Sequence, residues 1–333
     1  MTPLADSLRH FMPEAILALG AALAFLSNIG AGRRGRRGIP ATIAALAAIA
    51  GAGIATVADW PYAPAVLFDG MVRLDAYAGV FKIILSAAGI LGILSALGSR
   101  EIPDADWGEF LGLMLTLVLG TFLLAMGQNL LMIYLSVEAI SICSSALAGM
   151  GTIRERRMAE GALKYVIFGG VASGLMLFGM SWLYGLTGTL DLAGAREAIG
   201  ALGSGGAARW ALLLALVLTL TGFGYKIAAV PFHQWSPDTY EGAATPFGGV
   251  LSTGPKAAGF AVLVRFVVVT LLDPATLGPI GGGTAAVPIV RILAVIAVAT
   301  MTLGNVTAIA QSNVKRMLAY SSIAHAGYML LGL

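Results

Sequence analysis

Four lysines (Lys82, Lys164, Lys226 and Lys256), two arginines (Arg265 and Arg291) and one glutamate, Glu138, fall within or at the edge of long apolar runs. Lysine and glutamate can exchange protons, whereas arginine stays charged. Near the middle of a bilayer each such charge costs on the order of 2.5 to 3.5 kcal/mol on insertion scales. One acid and two or three lysines would together cost about 10 kcal/mol unless they pair or meet water. Chains that keep such residues usually use them to move ions or protons.

The stretch TGFGYKIAAVPFHQWSPDTYEG, residues 221–242, states the chemistry most directly. Burial of Lys226 disfavours its charged form and a nearby carboxylate restores it, so such a lysine can switch. Pro231, five residues on, removes a backbone donor and predicts a helix break. Broken backbone inside a membrane is tolerated where it lines a hydrated cavity. Around it Tyr225, His233, Gln234, Ser252 and Thr253 could carry a chain of waters. Glu138, in LLMIYLSVEAIS, is the only acid read as lying well inside a span, about nine residues or roughly 14 Å deep. Lys256, in GVLSTGPKAAGF, is comparably deep. Plainer uses compete: Lys82 and Lys164 can snorkel to an interface, Arg291 can anchor a span start, and Arg265 can meet lipid headgroups. His325 in KRMLAYSSIAHAGYM can bond a neighbouring helix, and His233 with Trp235 can satisfy backbone freed by Pro231.

The elements that must hold these groups are transmembrane helices. Hydrophobic residues are 58% of the 333 and charged residues 11%, against roughly 45 to 50% and about 25% in soluble domains. Apolar spans fall at 12–31, 39–58, 75–97, 109–126, 129–150, 160–186, 210–235, 245–271, 287–309 and 314–333, predicting an all-α polytopic bundle of about ten helices. The GRRGRRG run, Gly32–Gly38, stops transfer, so the first span is read as retained. With the N-terminus outside, Arg33, Arg34, Arg36, Arg37, Arg100, Arg154, Arg156, Arg157, Lys315 and Arg316 face the cytoplasm, against Arg9, Arg73, Arg196 and Arg209 outside. Basic charge thus sets orientation, and a nucleic-acid partner is not expected. The single cysteine, Cys143, lies in a span, and histidines at 10, 233 and 325 suggest no metal or haem site.

The runs GFGYKIAAVPFHQWSPDTYEGAATPFGGVLSTGPKAAGF, EGALKYVIFGG, YLSVEAIS and NVKRMLAYSSIAHAGYMLLGL resemble the antiporter-like membrane subunits of respiratory complex I, and more narrowly the subunit N family of bacterial NADH:quinone oxidoreductase. The match covers essentially the whole chain. The resemblance implies inverted five-helix repeats with broken helices and a proton-translocating role coupled to quinone reduction elsewhere in the complex. It implies no cofactor on this chain, with quinone and NADH used by the whole complex. Other complex I membrane subunits and the lipid bilayer are the implied partners, and the bacterial inner membrane the location. It casts Glu138, Lys164, Lys226, Lys256 and His325 as proton-transfer residues, supported by Pro231 and His233. Three regions are expected: an N-terminal three-helix region at 1–108, a first five-helix repeat at 109–271, and the start of a second repeat at 272–333. The apolar run reaching Leu333, with no second lysine-bearing broken helix, leads to the expectation of a piece of a longer chain. The alternative functional reading is a subunit of a stand-alone cation/proton antiporter.

Overall fold

The computed structural model describes residues 4–31, 38–151, 156–202, 206–272 and 289–333. Within these there are thirteen α-helices. Ten are the expected spans: α2 (Met12–Ala31), α3 (Ile39–Ala58), α4 (Ala76–Gly98), α5 (Trp107–Met126), α6 (Leu130–Ala148), α7 (Arg156–Thr187), α9 (Ala207–Ile227), α11 (Thr245–Phe266), α12 (Ile289–Ile309) and α13 (Val314–Leu330). The other three are short: α1 (Leu4–Arg9), α8 (Leu192–Ala201) and α10 (Trp235–Gly242). Residues 32–37 of the stop-transfer run and Arg154 lie outside the described residues.

Local chemistry sets the helix starts. Asp75, Asn129, Asp191 and Asn313 each accept hydrogen bonds from amides of the first turn that follows, opening α4, α6, α8 and α13. Pro40 and Pro246 sit in the first turns of α3 and α11, where no backbone donor is lost. A two-stranded antiparallel hairpin, β1 (Ala65–Leu67) with β2 (Val72–Leu74), pairs Ala65 with Leu74 and Leu67 with Val72 and covers the α3–α4 end of the bundle.

Packing ranks the helices. The α5 and α11 segments are 72% and 78% buried, while α12 is only 22% buried, so α5 and α11 form the axis around which the rest stand. Leucines and valines along α2, α3, α7 and α12 remain exposed, as a lipid-facing surface requires. A bundle of this length and hydropathy is an integral membrane fold, with eight helices long and apolar enough to cross a bilayer among the described residues.

The span expected at 210–235 is divided. Helix α9 closes at Ile227, residues 228–234 are non-helical, and α10 resumes at Trp235. The closure has two backbone bonds, Ala229 N–H to Gly224 O at 2.8 Å and Ala228 N–H to Tyr225 O at 3.0 Å, with Ala228 in the left-handed region at φ 59°. This is the pattern with which helices end. An alanine rather than a glycine holds it, at a conformational cost of about 1 kcal/mol.

Candidate functional site

Lys226 occupies the last turn of α9, immediately before the break, and is 1% exposed. Its Nζ donates to Ser141 Oγ on α6 at 2.9 Å and lies 6.0 Å from the centre of the Tyr165 ring. Ser141 in turn donates to Val137 O, so its lone pair is turned toward the ammonium. The lysine stem runs against α11, where a Cβ at Gly259 would stand 2.9 Å from Ile227 Cγ2 and 3.2 Å from Lys226 Cγ. Only glycine leaves the stem its place.

Lys256 follows Pro255 inside α11 and is 2% exposed. Its Nζ donates to Ser322 Oγ on α13 at 2.6 Å and lies 5.7 Å from the Tyr240 ring centre. Between the two lysines stands a run of aromatic rings, Tyr165 against Trp235 at 4.8 Å and Trp235 against Tyr240 at 6.4 Å. Beyond Lys256 opens a cavity of about 490 Å³ shared with Ser321, Ser322, Lys315 and His325. Among the described residues neither buried lysine has a carboxylate in ion-pair contact.

The remaining expected residues are distributed as follows. Glu138 is half-buried on α6, one turn before Ser141, and its Oε1 has no hydrogen-bond partner. Among the described residues it makes no ion pair with a lysine; Ser141 takes the Lys226 contact instead. Lys164 does not join the buried pair. It is part-exposed and bonds Asp238 Oδ2 and Glu160 Oε1, each at 2.6 Å. His325 is exposed on the cavity side of α13, packed edge-on to Tyr328 at 5.6 Å. Pro231 and His233 lie in the break, with His233 Nδ1 buried and without a partner.

Two charge assignments change. Lys82 does not snorkel: it is fully buried against a second buried acid, Glu14, at 2.5 Å. Glu14 escaped the sequence reading because it is only the third residue of its helix, where depth along the chain says little about cover by neighbours. Arg265 does not reach lipid. Its guanidinium grips Asp75 with two bonds, 2.7 and 2.9 Å, and donates to Ala125 O at 3.2 Å. Burial alone would raise the Asp75 carboxyl, but the Arg265 bonds and charge, with the Ala78 amide, outweigh it and hold it below the usual carboxylate range.

The break is fully tied on its donor side up to Pro231. Val230 N–H donates to Thr300 Oγ1 on α12 at 3.0 Å, after Ala228 and Ala229 have closed α9. Trp235 Nε1 donates to Tyr225 O at 3.1 Å, sharing that carbonyl with the Ala228 amide. Helix α10 is fixed by charges as well. Asp238 binds Arg316 and Lys164, and Glu241 binds Arg316 at 3.0 Å and Arg157 at 3.0 Å. Its approach to α7 is close enough that a Cβ at Gly161 would meet Asp238 O at 2.8 Å. Thr300, Ser141, Ser322 and Asp238 carry no sequence signal of their own; threonine and serine in apolar helices are common, and only the fold brings these to the lysines and the break.

A polytopic helical bundle with a broken helix and buried lysines defines an antiporter-like membrane protein. The family described as NADH:quinone oxidoreductase/Mrp antiporter, TM, matches residues 127–333. The chain belongs to this family. It is 46% identical to NADH-quinone oxidoreductase subunit N of Anaeromyxobacter sp. (strain Fw109-5), over 97% of this chain and 63% of the relative. It is 43% identical to subunit N 2 of Sorangium cellulosum (strain So ce56), over 98% of this chain and 65% of that protein. The chain therefore spans a little under two thirds of the length of these relatives. Among solved structures it is similar to a chain of respiratory complex I from Thermus thermophilus with bound aureothin, at TM-score 0.76 and 33% identity, over 96% of this chain and 63% of that one. The archaeal membrane-bound sulfane sulfur reductase, at TM-score 0.81 and 20% identity over 98% of this chain and 64% of that one, shares the fold.

Proposed function

We propose that this chain is a proton-translocating membrane subunit of a bacterial NADH:quinone oxidoreductase, seated in the inner membrane beside the other membrane subunits of that complex. The observation that carries the reading is the pair of buried lysines, Lys226 and Lys256, each held by one serine hydroxyl and by no carboxylate. A buried ammonium left without a counter-ion is strongly disfavoured. Such a group releases its proton readily when a route exists, and takes it back when a neighbouring charge approaches. Glu138, one turn from Ser141 on the same helix, is the neighbouring charge for Lys226.

A proton held on Lys226 Nζ passes to a water in the break and leaves a neutral amine. Lys256, having released its own proton toward the cavity bordered by Ser322 and His325, is a neutral amine and receives this one past the Tyr165, Trp235 and Tyr240 rings. Lys164 belongs to the polar edge of this path, where Asp238 and Glu160 hold it. His233 and Pro231 keep the break open. Redox chemistry with NADH and quinone is assigned to other subunits of the complex. The division into an N-terminal region at 1–108, a first repeat at 109–271 and a second repeat beginning at 272 is part of the same reading. The stand-alone cation/proton antiporter is the weaker alternative, because relatives at 43 to 46% identity are named as complex I subunits.

The test is Lys256→Met in the assembled complex, measuring proton uptake by inverted vesicles together with NADH oxidation. The expected result is a lower proton yield per NADH at normal complex content. Native proton yield would overturn the proposal.

A further inference from the structure

A second charged site lies outside the residues assigned to translocation. Glu14 on α2 and Lys82 on α4 are both 0% exposed and approach to 2.5 Å. The approach is close but poorly aligned. Both Glu14 oxygens and the Lys82 nitrogen remain without a hydrogen-bond partner of good geometry among the described residues. Ser86 Oγ, one turn further along α4, is likewise buried and unpartnered. Phe122 of α5 covers the ammonium, its ring centre 5.5 Å from Nζ. A structural ion pair earns its place in an apolar interior when additional hydrogen bonds satisfy its remaining lone pairs and protons. Here they do not.

The site is roofed by a polar contact that reaches the surface. His10 Nδ1 lies 3.2 Å from Asp59 Oδ1, with the two side chains 14% and 15% exposed. His10 precedes Glu14 by four residues and Asp59 follows α3 directly, so the roof stands over the same end of the bundle as the buried pair. The other charged or titratable groups around it are few. Tyr62 packs on His10, Arg9 lies 6.0 Å over the Tyr62 ring, and Asp75 at the start of α4 is taken by Arg265. The neighbouring part of α5 contributes Phe122 and Thr121, whose hydroxyl is bonded to Val118 O, and α3 contributes Thr56, bonded to Ala52 O.

We infer that Glu14 and Lys82 form a proton-binding site in the N-terminal helices, loaded from the aqueous side through the His10–Asp59 roof. A hydronium ion gives its proton to a Glu14 oxygen, the carboxylate becomes a carboxylic acid, water is released, and Lys82 remains an ammonium. A fully buried acid met only by a misaligned ammonium and its own backbone amide is poorly stabilised as an anion, and uptake relieves that. The site stands apart from the translocation reading, and its readout does not depend on pumping.

The experiment is an infrared titration of the full chain in lipid, from about pH 9 to about pH 4, following the carbonyl stretch of protonated carboxylic acids. The expected result is an acid band that grows on acidification and is missing in Glu14→Gln. Lys82→Met removes the adjacent positive charge and moves its midpoint up by about 1 to 3 pH units. Should Glu14→Gln not fold, Glu14→Gln with Lys82→Met leaves no buried charge and supplies the band-free reference. A wild-type spectrum matching the reference throughout the titration would overturn the inference. So would a Glu14 acid band of constant size, which would mean that the pair shares its own proton and binds none from water.

Discussion

Thr300→Val tests whether the break in the seventh span is held open from the neighbouring helix. The substitution keeps the shape of the side chain and deletes the hydroxyl that accepts from Val230 N–H at 3.0 Å. Thr300 is fully buried, and its own donation to Ile296 O duplicates a carbonyl that the helix can still use, so the amide of Val230 is the group left stranded. An orphaned buried donor costs about 1 to 3 kcal/mol. That corresponds to roughly a five- to 150-fold change in the unfolding equilibrium. Thr300→Ser is the control, because it keeps the acceptor and loses only a methyl group. The assay is denaturant unfolding of the purified protein in mixed micelles, followed by far-ultraviolet circular dichroism. Thr300→Val is expected to unfold earlier than Thr300→Ser by that margin. Equal midpoints would refute the assignment of Thr300 as the acceptor that holds the break.

Lys226→Arg is expected to lower coupled proton uptake nearly as far as Lys226→Ala, about tenfold or more, since arginine keeps its proton; uptake at the native rate in reconstituted vesicles would make Lys226 a fixed counter-ion. Lys82→Arg, in a fully buried site under Phe122, is expected instead to destabilise the bundle by about 1 to 3 kcal/mol through overpacking, read as a lower unfolding midpoint. Glu138→Gln is expected to slow proton uptake while leaving complex content intact, because its carboxylate is half-buried and carries no structural ion pair; equal uptake in vesicles oxidising NADH would count against a role for it.

The spans were legible because apolar runs of about 20 residues have few other uses, and the break was legible because Pro231 cannot continue a helix. Lys226 and Lys256 were legible because a lysine in such a run is costly whatever its neighbours. Partner identity was not. Glu14 and Asp75 sit at helix ends where sequence depth suggests water, and only the packing of α2, α3, α4 and α5 shows that Glu14 is dry. Lys164 owed its place among the proton-transfer residues to the family resemblance, while its position near a span start already allowed snorkelling; the carboxylates of Glu160 and Asp238 lie within its reach and hold it at the edge. Helix α10 went unread, since all of it but Trp235 lies between the spans expected at 210–235 and 245–271, whereas the non-helical residues 228–234 are apolar enough to pass for helix.

Helix α10 is also a strut. It has only eight residues, yet Thr239 Oγ1 bonds Gly161 O on α7 at 3.1 Å, Trp235 bonds the end of α9, and Asp238 and Glu241 both seize Arg316 on α13. A rod pinned at three points cannot tilt without taking its supports along. Arg316 lies six residues before Ser322, about 9 Å along the same helix. The member that begins at the break beside Lys226 is therefore bolted to the helix whose serine holds Lys256, and a swing of one lysine's support is delivered mechanically to the other's.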